Sequence, residues 1–348
     1  MASQIIQTAV PRLFSGIQPT GALHLGNYLG AVQRWVQVVQ TGHLAGQHFA
    51  TPQDRLFSVV DLHALTLPQD PARLRRHILD MTASLLACGL DAERCILFQQ
   101  SDVSAHAELA WLLSCFCNMP RLSRLTQFRE KSAHLTEVPL GLFAYPVLQS
   151  ADVLLYRTTH VPVGEDNLQN LHITAQITKS WHHRLGPFWP EPQPLVLAGP
   201  AARLKSLRQP TKKMSKSDVN PKSCIFLDDT PDQVLTKCRK AVTDSISEVS
   251  YDPENRPGVS NLVTIHGALT GLSPTDICQR VQGQDTGQYK LIVAQALNDH
   301  LQPIQERKAH LLQHPKHIQQ VLDHGAAQAR EIAAPNLLAL KRILGLKS

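Results

Sequence analysis

No stretch of about 18 consecutive apolar residues occurs in the 348-residue sequence, so no segment has the length and composition of a membrane-crossing helix. Nor do the seven cysteines form a Cys-x-x-Cys pair. The only close pair, Cys115 and Cys117, has no further ligands at metal spacing; with Cys88, Cys95, Cys224, Cys238 and Cys278 these read as reduced packing residues of an intracellular compartment. The seventeen histidines are scattered, and His182-His183 and the series His310, His314 and His317 lack companion ligands, so solvated helix faces are expected there and no protein metal site. Internal repeats and low-complexity tracts are also missing. The first twelve residues have no acidic residue and one Arg, a pattern shared by the stub of a mitochondrial transit peptide and by a plain tail. What is present is an apolar fraction of 43%, ample for a large core, in a length that suits about two domains. A net charge of +6 and a pI near 9.0 point to an acidic partner such as nucleic acid.

The stretch from Leu13 to Asn27 reads as a strand running through a turn into a helix. Leu13, Phe14 and Ile17 make the apolar run, and Gln18-Pro19-Thr20-Gly21 supplies turn chemistry, with Pro fixing φ and Gly permitting a positive one. Leu29, Val32, Val36 and Val39 then recur at helical spacing, which presses one face on a sheet and points the helix N-terminus at the turn. Unpaired backbone N–H groups and the helix dipole favour a phosphate there, and Gly26 leaves room for a flat base or a phosphate to approach. A histidine at a half-buried helix start such as His24 also serves commonly as a packed or capping residue.

Further strands are expected at 56–61, 95–99 and 160–163. Helices are expected from Asp70-Pro71 to about Gly89 and after Ser104, a residue type suited to cap that second helix. The pattern continues with a helix over 141–156 interrupted by Pro146, and another from 164–166 to about His183. Strands alternating with helices imply a parallel sheet whose ligands bind beyond the carboxyl ends of the strands. Gly42 to Asp54 reads as a surface loop, and the Pro-rich 186–200 as an irregular connection. Asp152 lies in an apolar run, where a carboxylate is costly unless hydrogen-bonded, or else it turns to solvent. Beyond Asp228 only helical patterns follow, to Leu346.

Between Arg203 and Lys222 stand seven Lys or Arg and one acidic residue, Asp218; inside this run is Lys213-Met214-Ser215-Lys216-Ser217. His24-Leu25-Gly26-Asn27 resembles the His-Ile-Gly-His signature of class I aminoacyl-tRNA synthetases, and the pentapeptide matches their second signature. The two occur in order, about 190 residues apart, and neither alone is as specific as the pair. With Phe14-Ser15-Gly16-Ile17-Gln18-Pro19-Thr20-Gly21 before it, the first signature is similar to the tryptophanyl branch in its bacterial and mitochondrial form. Thr126-Gln127-Phe128, 161–166 and 240–244 extend that similarity over 13 to 345.

The resemblance implies an α/β chain with a Rossmann-like parallel-sheet catalytic domain over 12–228, carrying a connecting insertion at about 118–157. An α-helical anticodon-binding domain over 229–348 is implied after it, its last helices packing back. It implies activation of L-tryptophan with ATP and Mg2+, transfer to tRNA(Trp), a homodimer and no membrane. By the same resemblance Gln18, Pro19, Thr20, His24, Gly26 and Asn27 hold the nucleotide at the first turn. Gly164, Glu165 and Asp166 contact the adenosine and Leu204 the adenine. Lys213, Met214, Ser215, Lys216 and Ser217 form the mobile cationic loop, and Lys131 reaches the triphosphate. Phe14, His63, Tyr145, Asp152 and Asn167 match the amino-acid pocket, with Asp152 accepting from the indole N–H. Lys213, Lys216, Gln18, His24 and Lys131 are the expected catalytic set. Asn167 departs from the family's Gln and is one carbon shorter. Tyrosyl-tRNA synthetase, which shares the fold and both signatures, and a non-catalytic RNA-binding descendant are the alternatives. A mitochondrial matrix location is expected from 78–83 and 98–101, with a bacterial cytoplasm as the alternative.

Overall fold

The computed structural model describes residues 10–133, 135–164, 167–196, 203–216 and 218–348. Five parallel strands form the central sheet: β1 (Leu13–Ile17), β2 (Arg55–Val59), β3 (Ile96–Gln99), β4 (His160–Val163) and β5 (Gln193–Val196), in the order β3-β2-β1-β4-β5. Side chains alternate along each strand. Phe14, Leu56, Ile96 and Phe98 enter one core, whereas Leu13, Phe57 and Leu97 enter the other, so both sheet faces are covered and β1, β2 and β3 bury apolar side chains on both sides. This is the Rossmann-like arrangement, and the reversal of strand order falls between β1 and β4.

Three local expectations differ from the structure. The Pro-rich segment after Gly186 contains β5, hidden from sequence patterning by Pro194; proline is tolerated because β5 is an edge strand, hydrogen-bonded to β4 alone. The 42–54 stretch is a small hairpin, His43–Leu44 with Gln47–His48, that buries Leu44 and Phe49 and gives its Phe49 carbonyl to the buried Arg55 guanidinium. Ser104 precedes the helix Ala105–Ser114 but has helical dihedrals and no side-chain capping bond. The cysteines divide as well: Cys88, Cys95, Cys224 and Cys238 are buried, with thiols pushed up to about 12 by burial, but Cys115 is exposed.

Beyond Asp228 come five helices: Pro231–Arg239, Pro257–Thr270, Pro274–Arg280, Thr286–Leu312 and Pro315–Ile343. Capping boxes at Thr230, Ser273 and Asp285 start three of them. Val234, Leu262 and Leu297 join the same core as Leu13 and Leu29. The last helix lies against edge strand β3: a Cβ on Gly325 would stand 1.9 Å from the Leu97 carbonyl oxygen, so only glycine permits that approach. The exposed edge of β3 is thereby covered.

Candidate active site

The turn after β1 is built as its residues dictate, with Gly21 at φ +95°. His24 then caps the following helix, its Nδ1 accepting from the Asn27 N–H at 3.3 Å. That helix runs as α over Leu25–Asn27, as π over Tyr28–Val32 and as α over Gln33–Thr41. His24 is buried, and burial, followed by the charges of Lys216 and Lys213, pushes its pKa down to about 4. The imidazole is therefore neutral near pH 7, and because Nδ1 is an acceptor, Nε2 carries the proton and is the donor. A Cβ on Gly26 would lie 2.9 Å from Cε1 of His24, so the space above this glycine is occupied by the His24 ring.

The second signature folds back on the first. Lys205 bridges Lys213, Ser206 N–H donates to the Lys212 carbonyl at 2.9 Å and Met214 N–H to the Leu204 carbonyl at 2.8 Å. Met214 and Leu204 are buried together in the core. Their register carries Lys216 to the first turn, where its Nζ donates to the Thr20 carbonyl at 2.9 Å and to the Thr20 hydroxyl. Desolvation lowers the Lys216 pKa. On its far side the loop is tied to the same turn, Leu25 N–H donating to the Ile225 carbonyl and Leu227 N–H to the Leu23 carbonyl. Glu165, Asp166 and Ser217 lie outside the described residues; Gly164 is exposed at the end of β4.

A cleft of about 620 Å³ opens beyond β1 and β4, at the reversal of strand order. Phe14, His63, Tyr145, Asp152 and Asn167 all line it, and so do Gln18, Lys131, Ser215 and Lys216. Leu204, Lys213, His24, Gly26 and Asn27 are outside this lining, as are Pro19 and Thr20. Lys131 stands 5.0 Å over the Tyr145 ring, beside the amino-acid residues, and its pKa is lowered by burial.

Asp152 does not turn to solvent: it is 1% exposed. One oxygen, Oδ2, accepts from His63 Nε2 at 2.7 Å, and Oδ1 accepts from His106 Nδ1 at 2.6 Å and Gln100 Nε2 at 2.7 Å. Burial would raise its pKa, but the His63 charge and the hydrogen bonds from His106 and His63 outweigh it, holding the carboxyl below the ordinary carboxylate range. A carboxylate has about four acceptor sites, so one remains, on Oδ2. A second cluster surrounds Asn167, whose Oδ1 accepts from Gln127 Nε2 and Asn170 Nδ2, each at 3.3 Å, while Tyr145 O–H donates to Gln127 Oε1 at 2.9 Å. Gln169, two residues on, accepts from the Thr126 N–H instead. Sequence reading missed Gln100, His106, Gln127 and Asn170 as site residues; Gln127 carried a signal as part of Thr126-Gln127-Phe128, and Asn170 as the last residue of the family-like run from Gly164.

Among the described residues no group of three or more His, Cys, Asp or Glu side chains converges to hold a metal ion, and no helix is long and apolar enough to cross a membrane.

The family model described as class I tRNA synthetases (W and Y) matches residues 7–302. The chain is 43% identical over 335 residues to the tryptophan–tRNA ligase of Caldanaerobacter subterraneus subsp. tengcongensis, covering 96% of this chain and 98% of that one. The solved tryptophanyl-tRNA synthetase of Mycoplasma pneumoniae superposes with a TM-score of 0.86 at 31% identity, over 97% and 99% of the two chains. That of Campylobacter jejuni, complexed with ADP and tryptophan, gives 0.80 at 29% identity, over 96% and 100%.

Proposed function

The chain belongs to the class I tRNA synthetases of the tryptophan and tyrosine group, and from that membership we propose that it is a tryptophan–tRNA ligase. The observation that carries this reading is Asp152, a buried carboxylate in the cleft with one acceptor site to spare for the indole N–H. In the first step the tryptophan carboxylate attacks the α-phosphorus of ATP; a carboxylate–phosphorus bond forms and the bond to pyrophosphate breaks. In the second, a ribose hydroxyl at the 3′ end of tRNA(Trp) attacks the adenylate carbonyl and AMP leaves. No enzyme nucleophile is needed, so positioning and charge stabilisation do the work.

The roles are carried over from the family resemblance. Phe14, His63 and Tyr145 wall the indole, and the ammonium group is met by the Tyr145–Gln127–Asn167 cluster. His24 Nε2–H and Gln18 serve the phosphates, with Lys213 and Lys216 following charge onto pyrophosphate; Lys216 rests on Thr20 beforehand. Lys131 swings from Tyr145 toward the triphosphate. The side chains of the first turn, from Gln18 to Asn27, include no carboxylate, so we read Mg2+ as arriving with ATP and held mainly by phosphate oxygens and water.

We further read residues 12–228 as catalytic and 229–348 as the part that receives the anticodon. We also read the protein as a homodimer, with the exposed Trp111, Met119 and Leu140 as apolar surface available for cover. The related ligases are bacterial, which favours a bacterial cytoplasm; the expected mitochondrial matrix location finds no support among them. Exchange of pyrophosphate into ATP should require tryptophan and proceed hardly at all with tyrosine or phenylalanine. Equal exchange with tyrosine would move the chain to the tyrosyl side of its family.

A further inference from the structure

Behind Asp152, away from the cleft, the hydrogen bonds continue. His106 is wholly buried; its Nδ1 faces Asp152 Oδ1 at 2.6 Å and its Nε2 faces the Tyr156 hydroxyl at 2.7 Å. Tyr156 is wholly buried too, and its ring stacks on Phe14, with centroids 5.7 Å apart and planes 12° from parallel. Neither His106 nor Tyr156 lines the cleft, whereas Phe14 and Asp152 do.

Placing the protons settles how the pair works. Asp152 is an acceptor only, so His106 Nδ1 must carry a hydrogen. If Nε2 carried one as well, the Tyr156 hydroxyl hydrogen would have no acceptor in a buried site. With a neutral ring, Tyr156 O–H donates to Nε2, Nδ1–H donates to Asp152, and every polar hydrogen of the pair has a partner. The tyrosine thus fixes the histidine tautomer, and the histidine fixes the carboxylate. Gln100 takes the remaining site on Oδ1, which directs any further donor to Oδ2, the oxygen held by the cleft-lining His63.

We propose that His106, locked by Tyr156 and seconded by Gln100, is a positioning residue for substrate specificity: it keeps Asp152 ionised and aimed, so that Oδ2 accepts the indole N–H and rejects side chains without such a donor. The proposal rests on the reading of Asp152 as the indole acceptor. The same chain of contacts joins the two walls of the pocket, since Phe14 is stacked on the tyrosine that sets the tautomer.

The test compares His106→Leu, which removes the donor, with His106→Asn, whose carboxamide nitrogen can stand where Nδ1 stood, and with Tyr156→Phe, which removes only the lock. Asp152→Ala is the control for the underlying reading. Tryptophan-dependent and phenylalanine-dependent pyrophosphate exchange are measured from pH 5 to 8. The titratable groups facing Asp152 are His63 from helix Asp61–Ala64, His106 from helix Ala105–Ser114 and Tyr156; Tyr145 on its own helix and Lys131 above Tyr145 stand further out. All but the substituted group are common to every variant.

In the unsubstituted enzyme the donors hold Asp152 deprotonated across this range, so the KM for tryptophan should not rise through loss of the carboxylate. His106→Leu should raise that KM about tenfold or more, narrow the tryptophan-to-phenylalanine ratio, and make the KM climb further as pH falls and Asp152 takes up a proton. His106→Asn should restore most of the ratio, and Tyr156→Phe should show a smaller shift of the same kind. The KM for ATP should not change in any of them, which also reports an intact fold. Equal losses in His106→Leu and His106→Asn with no change in pH profile would overturn the proposal. If His106→Leu does not fold, an unchanged ratio and pH profile in Tyr156→Phe overturn it instead. An unchanged ratio in Asp152→Ala would refute the indole reading itself; a collapsed ratio there beside a normal one in His106→Leu would refute the positioning role alone.

Discussion

Lys216→Ala separates two things that Lys216 can do, because its resting contacts are visible. Its Nζ donates to the Thr20 carbonyl at 2.9 Å and to the Thr20 hydroxyl. These are contacts of an exposed side chain, and such hydrogen bonds contribute about 1 kcal/mol net. A cation held ready for charge that develops on departing pyrophosphate contributes about 3–4 kcal/mol, a factor of roughly 10²–10³ in kcat. The difference is large enough to decide between them. Tryptophan-dependent pyrophosphate exchange, fitted for kcat and for the KM of each substrate, should show kcat lower by roughly 100-fold or more in Lys216→Ala, with tryptophan KM nearly intact. Thr20→Val keeps the backbone carbonyl and removes only the hydroxyl, so kcat should change by less than about fivefold. A rise in KM at unchanged kcat in Lys216→Ala would show that the lysine binds the ground state, and the transition-state role would be wrong.

Three further outcomes are expected. Asn167→Gln adds about 1.5 Å of reach toward the substrate ammonium and should lower the tryptophan KM without changing that for ATP; a rise would show a pocket rebuilt around the Asn167–Gln127–Asn170 cluster. Gly325→Ala forces a methyl group into the Leu97 backbone and should destabilise by about 1–3 kcal/mol or more, seen as a lower thermal midpoint; an unchanged midpoint would mean that the helix does not rest on β3 as described. His24, with its pKa at about 4 against 6.5 unfolded, binds more protons unfolded than folded between those values. Stability should therefore fall as pH drops from about 6.5 toward 4, by up to about 3 kcal/mol from this group, and denaturant midpoints of His24→Asn should fall less over that window; equal slopes would refute it.

Most elements were legible where the cause was local, the 43–48 hairpin and the uncapped Ser104 being the local exceptions. The strand, turn and helix start at 13–27 follow from residues a few positions apart, and so do the helical patterns beyond Asp228. The two signatures are short runs whose chemistry lies in the run itself. By itself the sequence therefore determined the alternation of strands and helices, the helical C-terminal region and the family resemblance. The state of Asp152 was undetermined at that level, between a solvated carboxylate and a buried acceptor. The tertiary structure decided it by bringing in His63, Gln100 and His106 from 89, 52 and 46 residues away. Strand β5 was decided in the same way: its proline-rich run has no strand pattern and becomes a strand because β4 offers it a free edge. Gly325 looks like an unremarkable helix glycine until Leu97 lies against it. Propensity and capping act over a turn of chain, whereas burial, ionisation and strand pairing depend on what the fold brings near.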